Sequence, residues 1–283
     1  MTKLSDLKIK AVYDTDDDVK EFYNLVLSCA NEYRRASAYF SDGFYSYIEK
    51  GLTQLMKCGG KMKLILSKDS IKKEYINITE HSGKMQGIPS ISTNKYTNCN
   101  CLKMSKLNGC ICSKCYVDGV AKRYPNLIQA LQHNTEVITA RILTGAELQV
   151  LSKHFANTLI CRFEAFGDLN NETQIINYSN IARACKYTKF ALFTKQFGLL
   201  LNWFRNGGRL PNNITVVLST PYINTEIYNE KLELFKAYHE RTIIFSVVDD
   251  PNNKKINCGG RKCLECRNCY DAENPHNVTE LLK

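Results

Sequence analysis

The chain has no apolar run approaching the roughly 18 consecutive residues that a membrane-spanning helix needs, so no membrane partner is expected. Its opening, Met1-Thr2-Lys3-Leu4-Ser5-Asp6-Leu7-Lys8, lacks the apolar core of a signal peptide, and the cytoplasm is the expected location. There is no Gly-x-Ser-x-Gly elbow, no Walker loop and no Gly-x-Gly-x-x-Gly. Those absences remove the motif-bearing routes to serine hydrolysis and to phosphate cradling. Internal repeats and low-complexity stretches are missing as well, which sets aside solenoids. Histidine is scarce, five in all, and its scattered places on helix faces suggest surface roles.

What is present begins with an ordinary composition, 44% hydrophobic and 23% charged, enough to bury a core. A length of 283 residues suits one large domain, or one with a small appendage. Two quantities stand out. Thirteen cysteines are too many for a cytosolic chain that uses thiols only as packing, and clustered thiols in a reducing compartment point to metal. The net charge is +10, and it is unevenly spread. Between Lys84 and Arg123 seven basic residues (Lys84, Lys95, Lys103, Lys106, Lys114, Lys122, Arg123) face one acidic residue, Asp118.

Alternating patterns divide the chain into an N-terminal α/β segment, 1–78, a cysteine-rich α/β domain, 79–271, and a polar tail, 272–283. In the first, Lys8–Tyr13 reads as a strand, 18–35 as a helix, Ser37–Phe40 as a strand, Phe44–Met56 as a helix and Met62–Leu66 as a strand. Residues 79–117 show no convincing periodicity, and a loop of that length needs something to order it. Helices then fit Pro125–Asn134 and Glu147–Asn157. From Leu159–Ala165 the sequence alternates strand and helix: Thr173–Cys185 helix, Phe190–Thr194 strand, Phe197–Arg205 helix, Ile214–Ser219 strand, Ile227–His239 helix, Thr242–Val248 strand. Such βα spacing predicts a parallel sheet, closed as a partial or complete (β/α) barrel or left as an open doubly wound sheet.

The densest motif is Cys258-x4-Cys263-x2-Cys266-x2-Cys269. Two successive x2 gaps match the run that holds [4Fe–4S] clusters in ferredoxins, whereas zinc more often takes a Cys-x2-Cys pair joined to a distant pair. A second set comprises Cys99, Cys101, Cys110, Cys112 and Cys115. Three of its thiols, Cys110, Cys112 and Cys115, are spaced to hold a cluster with one position open, and a structural zinc fits the same residues. Either one or two sites result. Cys29, Cys58, Cys161 and Cys185 are expected in the core. The basic residues Lys103, Lys106, Lys114, Lys122 and Arg123 suit nucleic-acid phosphates, or simply balance a thiolate-ligated centre.

Chemistry in parallel α/β folds gathers at the C-terminal ends of strands. Arg162, Glu164, Asp168 and Lys195 stand at such ends and are expected to share a rim of mixed charge. It suits anion binding or proton transfer, and a salt-bridge network tying strands together is the other reading.

Three motifs in order carry a resemblance: Gly83 through Ser92 followed by cysteines ending at Cys115-Tyr116 and Tyr124-Pro125-Asn126; Arg162 through Gly167-Asp168; and Phe190 through Thr194-Lys195. Together they resemble the phage gene product 88 family over about 80–270. Glu164 stands where that family often has histidine, and Phe193 where it has tyrosine. The cysteine loop and strand ends are also distantly similar to radical S-adenosylmethionine barrels, although Cys-x-Cys-x2-Cys is not their Cys-x3-Cys-x2-Cys. That likeness implies an iron–sulfur centre, with Cys110, Cys112, Cys115 and Tyr116 at the cofactor and S-adenosylmethionine as a candidate co-substrate. Tyr39-Phe40-Ser41, Gly51-Leu52 and Cys58 through Ser67 look similar to phospholipase-D-like domains without the His-x-Lys-x4-Asp motif, which implies a docking unit rather than a phosphodiesterase. The expected function is redox or radical chemistry on a nucleotide or nucleic acid. The alternative is a zinc-stapled protein that binds nucleic acid or a host protein without turnover.

Overall fold

The computed structural model describes Leu27 and residues 32–37, 50–51, 53–59, 61–66, 76–225, 227, 229–259, 261–270 and 277–282. The chain divides into two compact units, Met1–Lys73 and Glu74–Lys283. In the first, strand β1 (Glu32–Ser37) pairs in parallel with β2 (Lys61–Leu66), from Glu32 opposite Lys61 to Ser37 opposite Leu66. Residues 53–57 between them are helical, as a parallel crossover requires. The first strand therefore starts five residues earlier than the expected Ser37–Phe40. The expected strand Lys8–Tyr13, most of the helix over 18–35, Cys29, and Tyr39-Phe40-Ser41 lie outside the described residues.

The second unit is built on six parallel strands: β3 (Ser90–Ile91), β4 (Ile160–Phe163), β5 (Lys189–Thr194), β6 (Ile214–Ser219), β7 (Thr242–Val248) and β8 (Val278–Leu281). Spatial order equals chain order, β3-β4-β5-β6-β7-β8, and every neighbouring pair is parallel. A doubly wound sheet reverses its strand order at a switch point, and this one does not. Nor does the sheet close, since β3 and β8 remain its two edges. Closure into a complete barrel, one of the forms expected above, is thereby corrected.

Eight helices flank the strands among the described residues: α1 (Cys99–Met104), α2 (Val117–Arg123), α3 (Pro125–Ala140), α4 (Gly145–His154), α5 (Glu172–Ala184), α6 (Phe197–Arg205), α7 (Asn229–Tyr238) and α8 (Cys263–Cys266). Successive residues of a strand point to opposite faces, and here the two faces meet different neighbours. Cys161, Phe163, Phe190, Leu192, Val216, Leu218 and Ile244 pack with Ile138, Leu151, Tyr178, Ile181, Phe204 and Phe235 from the helices. Ile160, Ala191, Phe193, Val217, Ile243 and Val278 face the other way, against Tyr270 and the cysteine loop that carries α8. Right-handed crossovers between sequential parallel strands carry the longer helices, α3 to α7, to one face. The opposite face carries the short α8, loops and a cavity.

Local chemistry sets the boundaries. Helix α4 begins before the expected Glu147 because Thr144 and Glu147 form a capping box: the Thr144 side chain accepts from the Glu147 N–H, and the Glu147 carboxylate accepts from the Thr144 N–H at 2.7 Å. Glu147 also pairs with Arg141 at 2.7 Å, and this guanidinium, followed by the Thr144 bonds, holds its carboxyl down at about 2 against the effect of burial. Thr144→Ala is expected to cost about 1 kcal/mol in urea-denaturation stability, and a loss indistinguishable from zero would remove the box from the stabilising features.

The segment read as a polar tail supplies β8. Val278, its anchor, is 1% exposed. Among the cysteines expected in the core, Cys161 and Cys185 are buried there. Cys58 is exposed in a turn and accepts from the Gln54 amide at 3.3 Å, so the core expectation is corrected for it. Among the described residues no helix is long and apolar enough to cross a membrane.

Candidate functional site

The face of the sheet opposite the longer helices opens into a cavity of about 1060 Å³. Its floor is the inward side of the strands, including Arg162 of β4, Phe193 of β5, Ser219 of β6, Phe245 and Val247 of β7 and Glu280 of β8. Both cysteine sets reach it. Cys112 and Cys115 line one wall, and Cys258, Cys263 and Cys269 line another.

The first set is fastened from both sides. Asn98 caps α1 by accepting from the Asn100 and Cys101 N–H groups, and its own amide donates to the Asp168 and Leu169 carbonyls. Cys110, fully buried, forms a backbone bridge with Tyr222, and Ile111 N–H donates to the Pro221 carbonyl at 2.9 Å. The cysteine loop is thus docked on the end of β6. Cys112 lies within the single turn Ile111–Lys114, which Cys110 and Cys115 flank. Tyr116 donates its hydroxyl to the Ala165 carbonyl. Cys99 is exposed, and Cys101 is half-buried outside the cavity lining.

The second set is anchored to β8 by a bridge between Cys258 and Glu280, with Cys258 N–H donating to the Thr279 carbonyl. Lys84 reaches across to Cys258 Sγ at 2.8 Å and to Glu280 Oε1 at 2.7 Å. Burial works against its charge, but those two partners outweigh it and hold the ammonium well above its ordinary range. Burial pushes the Cys112 thiol up to about 12, against the pull of Lys195. It does the same to Cys269, to about 12, against Arg162, with Cys258, Cys263 and Cys266 adding repulsion. Cys101, Cys258 and Cys263 are raised by the same cause. No three His, Cys, Asp or Glu side chains among the described residues stand together in the geometry that holds an ion.

The four strand-end residues separate into two pairs. Arg162 and Lys195 line the cavity. Glu164 and Asp168 do not, being 2% and 5% exposed beneath its rim. Glu164 has a left-handed backbone, φ 60°, and its carboxyl accepts from Thr93 N–H at 3.2 Å, Thr93 Oγ1 at 3.1 Å, Gln174 Nε2 at 2.6 Å and the Tyr178 hydroxyl. Burial pushes it up to about 8 against those bonds, with the charge of Asp168 adding. Gly167 belongs to the same knot, because a Cβ there would lie 2.5 Å from the Thr93 carbonyl oxygen. Asp168 accepts from Thr194 Oγ1 at 2.6 Å and from the Lys195 N–H at 3.0 Å, tying the end of β4 to the end of β5. Burial raises its carboxyl, while Lys195 lowers it.

Among the basic candidates, Lys103, Lys106 and Lys122 are exposed, while Lys114 and Arg123 are exposed at the cavity mouth. Lys95 is 6% exposed and pairs with Asp118 at 2.7 Å, so part of the local excess is spent internally. The surface expectation for histidine is corrected twice. His239 is 6% exposed and meets the Ile214 carbonyl at 2.8 Å. His81 stacks on Phe166 with ring centroids 5.2 Å apart, and burial, aided by Arg162, lowers it to about 4. Sequence reasoning missed Thr93, Gln174 and Tyr178, whose roles depend on which strand end they meet.

A sequentially ordered parallel α/β sheet, with its longer helices on one face and a thiol-lined cavity on the other, defines the class of protein. Residues 61–280 match the model of the family gene product 88, and the chain belongs to that phage family. No curated protein and no solved structure matches it.

Proposed function

We propose that the chain is a phage iron–sulfur protein whose cavity is a reaction chamber for redox or radical modification of a nucleotide or nucleic acid. The observation that carries this reading is the arrival of both cysteine sets at one cavity over the strand ends. The sequential strand order supports an open arc of a (β/α) barrel, a shape that gathers side chains from several strands over one chamber.

The donor set suits the group in number and in kind. Cys258, Cys263, Cys266 and Cys269 are four soft ligands near enough to feel one another's charge. They would hold one cluster. Cys110, Cys112 and Cys115 would hold another, with Cys99 and Cys101 on the adjoining helix. A bound cluster supplies one-electron chemistry, and S-adenosylmethionine is the co-substrate to try first. The chain itself contributes the cavity floor, the positive charge of Arg162 and Lys195, and the buried Asp168 that fixes the turn presenting Lys195.

Because burial raises these thiols, loading must displace protons, and metal uptake should weaken as the pH falls. Protein purified without oxygen should contain iron and acid-labile sulfide and show a broad visible charge-transfer band. Stoichiometric zinc without sulfide would overturn the proposal. The exposed Lys103, Lys106 and Lys122 favour the other outcome, a zinc-stapled nucleic-acid-binding protein, and salt-dependent binding lost on joint Lys103→Ala and Lys106→Ala replacement would identify it.

A further inference from the structure

Among the described residues, Arg162 is held by an aromatic ring and a thioether rather than by a carboxylate. Its guanidinium carbon lies 3.7 Å from the centroid of the Phe193 ring, so the plane is held flat against an aromatic face. One terminal nitrogen approaches Met85 Sδ at 3.6 Å. Its Nε is buried and has no hydrogen-bond partner among the described residues. Of the two carboxylates that line the cavity, Glu280 is committed to Lys84 and Glu80 is exposed. Stacking on a ring leaves the in-plane N–H donors of a guanidinium free, and they match the oxygens of a planar or tetrahedral anion.

Two further strand-end residues line the same cavity. Thr220 lines the cavity, is 2% exposed, and its hydroxyl has no partner among the described residues. Lys195 also lines it, one residue beyond the Thr194–Leu218 pair, which sets it beside Ser219 at the end of β6. Two cations and an unpartnered hydroxyl therefore come from the ends of three successive strands, β4, β5 and β6. Buried polar groups in folded chains are satisfied almost without exception, and a set left open around a cavity is the signature of a ligand.

We propose that this set is a phosphate subsite, and that the cavity takes a nucleoside monophosphate. Two positive charges and a hydroxyl suit a dianion with three terminal oxygens better than a carboxylate, which offers one charge and two oxygens. The rest of the lining suits a planar ring: Phe166 lies between His81, stacked at 5.2 Å, and Tyr116 at 6.2 Å, with Phe245 on the floor. This inference rests on the reading of the cavity as the chamber, and it names what enters.

The test is calorimetric titration of the full chain, with its metal content measured on the same sample. The probes are the four ribonucleoside monophosphates, thymidine monophosphate, the corresponding nucleosides, inorganic phosphate and a single-stranded oligonucleotide. At least one monophosphate should bind saturably, with its nucleoside weaker by about tenfold or more and inorganic phosphate competing. Arg162→Met should weaken that binding at least about tenfold, and Arg162→Lys should recover part of it. Thr220→Val, a near-isosteric change, should cost a smaller factor, about threefold to tenfold. If Arg162→Met fails to fold by circular dichroism, Lys195→Met makes the same prediction. The proposal falls if no monophosphate saturates, if nucleoside and monophosphate bind equally, or if these variants leave affinity unchanged. It falls also if only the oligonucleotide binds and Arg162→Met does not affect it. Monophosphate binding to a zinc-containing sample would leave the subsite standing and overturn the iron–sulfur proposal alone.

Discussion

Replacing Glu164 with alanine is expected to destabilise the fold by about 4 kcal/mol or more. The carboxyl is 2% exposed and is the shared acceptor for Thr93, Gln174 and Tyr178. Alanine leaves those donors buried without an acceptor, at about 1–3 kcal/mol each. A pH dependence accompanies the loss. Burial raises the carboxyl to about 8 in the folded chain, against about 4.3 for an exposed glutamate, so the folded state holds the extra proton between those values. Stability from this group is therefore full below the unfolded value and is lost as the pH rises through about 8. Glu164→Gln should flatten that decline, because an amide keeps the side chain neutral throughout. Urea denaturation of both proteins across the range decides it, and parallel pH profiles would refute the assignment of a neutral Glu164.

Phe190→Ala should cost about 3–5 kcal/mol, the span expected for emptying a fully enclosed phenylalanine site. Phe190 is inaccessible to solvent. It stacks on Phe163 with centroids 4.6 Å apart and meets Phe155 edge-on at 6.0 Å. Phe163 stacks in turn on Tyr178 at 4.2 Å, and Tyr178 donates to Glu164. One column of rings thus joins β4, β5 and α5 to the buried carboxyl. The midpoint in urea should fall without a change in the slope, and a loss below about 1 kcal/mol would mean that neighbouring rings collapse into the space. Combining Phe190→Ala with Glu164→Gln should depart from additivity, since Tyr178 touches both halves of the column.

Much of the sheet was legible in the sequence, and the reason is visible in particular strands. Ile214–Ser219 and Thr242–Val248 are apolar runs buried on both faces, and Phe197–Arg205 is a helix closed by glycines, so pattern and structure coincide there. The edges were not legible. Ser90–Ile91 is a strand of two residues, and Val278–Leu281 contributes only one deeply buried apolar side chain, Val278. Both exist because a longer neighbour offers unpaired backbone, which no local pattern announces. The helices α1 and α2 escaped for a related reason. They are six and seven residues long, and α1 is secured by the Asn98 cap and by Asp168 and Leu169 from far along the chain. In the candidate site, strand-end position singled out Arg162 and Lys195, which line the cavity, but it could not separate them from Glu164. The sequence alternation would put Arg162 and Glu164 on one side of a continuing strand. Strand β4 stops at Phe163, and the left-handed backbone at Glu164 turns that side chain under the rim.

The agreement between chain order and spatial order bears on how the molecule comes into being at the ribosome. Each strand from β5 onward docks on the one synthesised just before it, so none of these strands waits for a distant partner, and the connections closed at each addition are short beside the one between β3 and β4. Growth proceeds like the laying of successive planks, with one raw edge exposed at any moment. The last plank is β8, and with it comes the anchorage of Cys258 to Glu280 and of Lys84 to both. The wall bearing the C-terminal thiols is therefore secured only when β8 docks, after the first cysteine set and the part of the floor supplied by β4 to β7 are in place.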